Sequence, residues 1–70
     1  MKIERITDQE NVSYIKQHLG IDGDVVIHIR TENNGDQYML VQCGDGRSFL
    51  FNREDNEYFI DDETVRFLRV

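Results

Sequence analysis

The stretch "VVIHIRTENNGDQYMLVQC", residues 25–43, decides the fold. Two runs rich in Val, Ile, Tyr and Met flank the triplet Asn33-Asn34-Gly35. Each run alternates with period two, as expected of extended strands whose side chains point to opposite faces. The triplet between them reads as a hairpin loop. Two registers compete. A two-residue turn at Asn34-Gly35 pairs Ile29 with Leu40 and Ile27 with Gln42. A three-residue loop pairs Ile29 with Met39, Ile27 with Val41 and Val25 with Cys43, and Gly35 then supplies the left-handed residue of a bulge. The second register makes one face uniformly apolar and is the one expected, because a one-residue slip would exchange the two faces.

Working outward, Gly44-Asp45-Gly46 repeats the same loop chemistry and sets Phe49 against Val41 and Phe51 against Met39. "RSFLF", "EYFI" and "TVRFLRV" follow as short runs separated by polar turns, an antiparallel meander by pattern. Upstream, "TDQE" at 7–10 fits a capping box with Thr7 as the cap and Glu10 reaching back. Val12, Ile15 and Leu19 recur at helical spacing. Lys16 and His18 fall in the last turn, where cations are favoured. Gly20 suits a left-handed stop, with Ile21 folding back on Ile15. The spacing predicts a helix over 8–19. "MKIERI" before it reads as a short strand or an extended arm.

The expected fold is therefore α+β, a single domain over residues 1–70. One N-terminal helix packs on a 4–5-stranded antiparallel meander sheet and covers Val25, Ile27, Ile29, Met39, Val41, Cys43, Phe49 and Phe51. The other face carries Val26, His28, Arg30, Tyr38, Leu40, Gln42 and Leu50. Either Phe59 or the Tyr58/Ile60 pair joins it, and Leu68 or Phe67 follows. A sheet with one solvated face should read apolar on one side and polar on the other. This one is apolar on both. Either the sheet curls toward a small barrel, or a second chain, identical or foreign, covers the uncovered side.

Charge bears on which partner that would be. The chain has 14 acids, 8 Lys and Arg, and a formal charge of −6. The segment "NREDNEYFIDDE", residues 52–63, surrounds Tyr58, Phe59 and Ile60 with Glu54, Asp55, Glu57, Asp61, Asp62 and Glu63. Such a field repels phosphate, so neither direct nucleic-acid binding nor an anionic membrane is expected. It favours a protein with a basic surface. The same carboxylates also fit the ordinary use of charge against edge-to-edge aggregation.

The remaining chemistry is sparse. One cysteine excludes an internal disulfide and argues for a reducing, cytoplasmic setting. No apolar run approaches the roughly 20 residues that span a bilayer. Cys43 would need a base within hydrogen-bond reach to act as a nucleophile, and the preferred register puts it on the face opposite His28. The two histidines lie on different elements with no second cysteine, so no metal site is expected. Asp22-Gly23-Asp24 has the start of a calcium loop without its further ligands. Clustered carboxylates need a cleft that shifts one pKa before they do acid–base work. No cofactor and no catalytic residue are expected.

The stretch "IHIRTENNGDQYML", residues 27–40, resembles a hairpin in phage-encoded anti-CRISPR inhibitors of Cas9. A helix followed by a bent meander is also similar to the Sm-like and SH3-like small barrels. The Sm signature glycine and its "MN" motif are missing, and the acidic charge argues against RNA. No residue role is carried over from either resemblance. The expectation is a small acidic, non-catalytic protein-binding module, in its sharper form an inhibitor that mimics nucleic-acid charge and occludes a basic surface. The expected binding residues are Arg30, Tyr38, Leu40, Leu50, Glu54, Asp55, Glu57, Phe59, Asp61, Asp62 and Glu63. The alternative is a self-associating subunit that uses the second apolar face as a homodimer interface.

Overall fold

The computed structural model describes residues 1–55, 57–60 and 63–65. The element order is β1 (Lys2–Ile6), α1 (Gln9–Leu19), β2 (Val25–Thr31), β3 (Gln37–Cys43), β4 (Ser48–Glu54), β5 (Glu57–Ile60) and β6 (Glu63–Val65). The strands form one antiparallel sheet in the order β1-β2-β3-β4-β5-β6. The fold is α+β, as expected, but the described sheet has six strands rather than four or five. The difference lies at the N-terminus, where "KIERI" pairs along β2 from Lys2↔Thr31 to Ile6↔Ile27.

The central hairpin adopts the three-residue loop. Ile29 pairs with Met39, Ile27 with Val41 and Val25 with Cys43. The Glu32 amide donates to the Asp36 carbonyl at 2.8 Å, and Gly35, at φ 94°, closes the loop by donating to the Glu32 carbonyl at 3.0 Å. The next hairpin is built the same way. Cys43 and Arg47 bracket it at 2.8 Å, Gly46 sits at φ 96°, and Phe49 and Phe51 face Val41 and Met39. In each loop the middle residue is Asn or Asp, and its side-chain oxygen accepts the backbone N–H two residues on. Asn34 Oδ1 takes the Asp36 amide and Asp45 Oδ1 takes the Arg47 amide, both at 3.0 Å. These Asx turns pre-form the corner, and Gly supplies the positive φ that side chains resist. The Arg47 amide foremost, with help from its guanidinium, holds the exposed Asp45 carboxyl below the usual carboxylate range.

The helix begins one residue later than the capping-box pattern implies. Asp8, not Thr7, is the N-cap, and its carboxylate accepts the Glu10 amide at 3.1 Å. Both residue types cap well, but a carboxylate also meets the positive end of the helix dipole with a full charge. Gly20, at φ 66°, ends the helix, with Ile21 N–H on the Lys16 carbonyl at 2.9 Å and Gly20 N–H on that of Gln17 at 3.3 Å, a Schellman closure.

Ile15, Met39, Val41 and Phe51 are fully buried and Ile27 nearly so, with Ile29 and Tyr58 completing the cluster. Val12, Leu19, Val25, Ile6 and Phe49 pack partly buried around it. The helix turns Ile15 and Asn11 inward. Asn11 was not expected on that stripe. It lies buried near the helix start, where its Nδ2 donates to Asp8 Oδ2 at 3.4 Å.

Candidate functional site: the open face of the sheet

Because strand residues alternate, the registers fix which side chains share the face away from the helix. One row across the sheet reads Ile3, Arg30, Tyr38, Asn52, Phe59. The next reads Arg5, His28, Leu40, Leu50. Ile3 and Leu50 are 58% and 56% exposed, and Tyr38, Leu40, His28 and Phe59 are half-buried. Ile3, Tyr38, Leu40 and Leu50, with His28 and Arg30, line a shallow groove of about 490 Å³. Cross-strand pairs such as Leu40 against Leu50 stand about 5 Å apart, so the patch is contiguous rather than scattered.

The structure thus brings together five of the expected binding residues: Arg30, Tyr38, Leu40, Leu50 and Phe59. The acids are placed differently. Glu54 and Glu57 pair at the tip of the β4–β5 hairpin, and Asp55 follows Glu54 in the turn with φ 51°. That is the same end of the sheet as the β2–β3 tip, which contributes Glu32 and Asp36. Glu32, Asp36, Glu54, Asp55 and Glu57 therefore share one end of the sheet, with Glu32 also lining the groove, while Asp24 and Asp45 lie at the opposite end. Glu63 starts β6 opposite Ile60. Asp61 and Asp62, like Phe67 and Leu68, lie outside the described residues.

The sequence reading missed Ile3 and Arg5. Their alternation within "KIERI" was visible, but the register of a strand whose partner lies beyond an intervening helix was not. In the register Arg5 pairs with His28 and Ile3 with Arg30, and Arg5 also borders the cleft on the helix side. Arg30 Nε also reaches Glu32 at 2.8 Å on the same strand edge. The sequence had left the choice between Tyr58 and Phe59 open. Asn52↔Phe59 and Arg53↔Tyr58 resolve it, putting Phe59 on the open face and Tyr58 in the core.

On the helix side, a cleft of about 510 Å³ lies between Glu4, Asp8, Asn11, Gln37, Arg53 and Tyr58. Gln37 donates to Thr31 Oγ1 at 3.0 Å. Its Oε1 has no hydrogen-bond partner among the described residues but is shielded from solvent, so the cleft does not present that acceptor to a ligand. Burial raises the Tyr58 phenol above its ordinary pKa, Arg53 opposes that rise and Glu4 adds to it.

Cys43 is buried on the helix side and His28 stands on the open face, so the two cannot form a nucleophile–base pair. Among the described residues, no three His, Cys, Asp or Glu side chains converge to hold a metal ion. No helix among them is long and apolar enough to cross a membrane. No protein-family model matches the chain, and comparison with curated proteins and with solved structures yields no match.

Proposed function

We propose that this chain is a non-catalytic protein-binding module that docks through the open face of its sheet. The observation that supports this is the exposure of Ile3 and Leu50 around Tyr38 and Leu40, on the face the helix leaves uncovered. Large apolar side chains held in one contiguous patch cost solubility unless something covers them. Tyr and Arg side by side, as at Tyr38 and Arg30, are also frequent binding anchors.

The acidic end of the sheet adds a second element to this reading. Glu32, Asp36, Glu54, Asp55 and Glu57 extend past the apolar patch and give approach to a basic protein surface an electrostatic bias. In that form the module works by occlusion, keeping polyanions off the basic surface it covers, in a cytoplasmic setting.

Site-specific photo-crosslinking tests the reading. A cross-linker at Leu40 on the open face, compared with one at Gln17 on the exposed side of the helix, should capture a polypeptide from the open face only. Leu50→Asp should abolish that capture. Capture that is equal from both positions, or that survives Leu50→Asp, would rule the open face out. Capture driven by the acidic end should weaken as salt rises.

A further inference from the structure

We propose that the outer edge of β1 is a second interaction surface. It takes β1 of another copy of this chain, antiparallel, about a two-fold axis that runs through Ile3 normal to the sheet. This edge is distinct from the open face.

β1 stands at one end of the strand order, with β2 on one side and, among the described residues, no strand on the other. The loop bonds fix which of its backbone groups face outward. The Glu32 amide donates across to the Asp36 carbonyl. Backbone direction alternates along a strand, so Arg30, His28 and Val26 also turn their N–H and C=O toward β3. Thr31, Ile29 and Ile27 turn theirs toward β1, where Lys2, Glu4 and Ile6 stand opposite them. Ile3 and Arg5 are left with both groups aimed away from the sheet, and Ile3 is well exposed. Such a row is a template for a further strand.

Proline, a bulge or charge commonly blunts an edge of this kind. β1 has no proline and no bulge, since its five residues pair one to one with β2. It does have charge, at Lys2, Glu4 and Arg5, and that charge selects a register. A two-fold axis normal to the sheet keeps each face on its own side, so it must pass through a residue. Through Lys2, Glu4 or Arg5 it sets like charge directly opposite like charge. Through Ile3 it sets the two Ile3 side chains together on the open face. On the helix side it then sets Lys2 of each copy opposite Glu4 of the other. Within one chain Lys2 Nζ already meets Glu4 Oε1 at 2.7 Å. Pairing closes these contacts into a ring of four alternating charges. They fall at non-hydrogen-bonded positions, where facing side chains approach most closely and opposite charges favour pairing. The two Ile3 residues exchange a pair of backbone bonds, and each Arg5 amide faces the Met1 carbonyl of the other copy. One surface that matches its own rotated image is what an isologous contact requires. A foreign strand would have to reproduce the same alternation of charge.

The ladder is short, so the contact falls below about 1,200 Å² and belongs to the weak, transient class. Sedimentation of the full chain at low salt, up to about 1 mM, tests it. The average mass should climb from 8.3 kDa toward twice that value. The Ile3 and Arg5 amides should exchange fast in dilute solution and slow as concentration rises. Lys2→Glu and Glu4→Lys should each weaken the pair about tenfold or more. Both side chains are more than half exposed, so circular dichroism should not change. Mixed in equal amounts, the two variants should pair again, and Lys2→Glu/Glu4→Lys in one chain should pair with itself. Leu50→Asp should leave the pair intact, because β4 lies three strands from the edge.

A chain that stays monomeric up to about 1 mM would overturn the proposal. So would a pair indifferent to both single changes, variants that fail to restore one another, or Ile3 and Arg5 amides protected at every concentration. A pair lost on Leu50→Asp would move the contact to the open face and overturn the edge. Capture from the Leu40 cross-linker is independent of all these readings and judges the docking face alone.

Discussion

Arg53 stands over the ring of Tyr58, its guanidinium carbon 5.7 Å from the ring centroid, across a directly opposed pair of β4 and β5. The ring lies in the core and the cation at the edge of the helix-side cleft. Burial disfavours the phenolate, while Arg53 favours it. We predict that Tyr58 ionises above the ordinary tyrosine value. Arg53→Met should raise that ionisation further, and Tyr58→Phe should remove it from the ultraviolet phenolate titration. The sign for stability follows from the raised pKa. The contribution is fully present below the unfolded value of about 10 and is lost as pH rises through the folded value. If alkali unfolded the wild type and Tyr58→Phe at the same pH, this assignment would fail.

The helix cap distinguishes two neighbouring residues. Asp8→Ala removes the acceptor for the Glu10 amide and should cost about 1 kcal/mol. Thr7→Ala should cost little, since Asp8 rather than Thr7 is the cap. Thermal unfolding of the two variants decides the point, and equal losses would contradict the assignment.

The two hairpin loops depend on left-handed glycines. Gly46→Ala and Gly35→Ala should each destabilise the fold by on the order of 1 kcal/mol. Open space surrounds a Cβ at both positions, so the cost is conformational rather than a clash. Gly46→Asn should therefore recover part of the loss, because Asn tolerates that backbone better. An asparagine variant no better than alanine in denaturant titration would argue against this cause.

Phe51 and Leu50 are adjacent in sequence and opposite in role. Phe51 is fully buried against Met39, whereas Leu50 is 56% exposed. Phe51→Ala should cost about 3–5 kcal/mol, a large share of what a small domain has. For the lone chain, Leu50→Ala should lie within about 0.5 kcal/mol of wild type, as surface changes usually do. Chemical denaturation at low protein concentration measures both. Near-equal losses would mean that the faces are wrongly assigned.

Much of this arrangement was legible in the residues. The alternation in "VVIHIRT" and "QYMLVQC", with Gly35 after two asparagines, left only one register that kept Ile27, Ile29, Met39 and Val41 together. The second loop repeated the chemistry and was legible for the same reason. Helix termination at Gly20 followed from conformational freedom alone. What failed to show was whatever depended on contacts distant in sequence. Strand β1 pairs across an intervening helix, so nothing in "KIERI" announced that Arg5 would stand beside His28. The choice of Asp8 over Thr7 as cap turned on one residue of backbone geometry, below what a capping-box pattern resolves. The acids of residues 54–57 looked like a rim in one dimension. Strand direction put them at an end of the sheet instead, together with Glu32 and Asp36.

The separation of β1 from its partner also orders events in time. Hairpins β2–β3 and β3–β4 close over three-residue loops. Joining Ile6 to Ile27 must instead draw together chain ends on either side of the whole helix, a larger loop with a larger entropy to overcome. During folding, the central ladder should become protected from amide exchange first and Lys2–Ile6 last. A nascent molecule would then spend its earliest moments with the Thr31–Val25 edge bare and open to pairing with another chain.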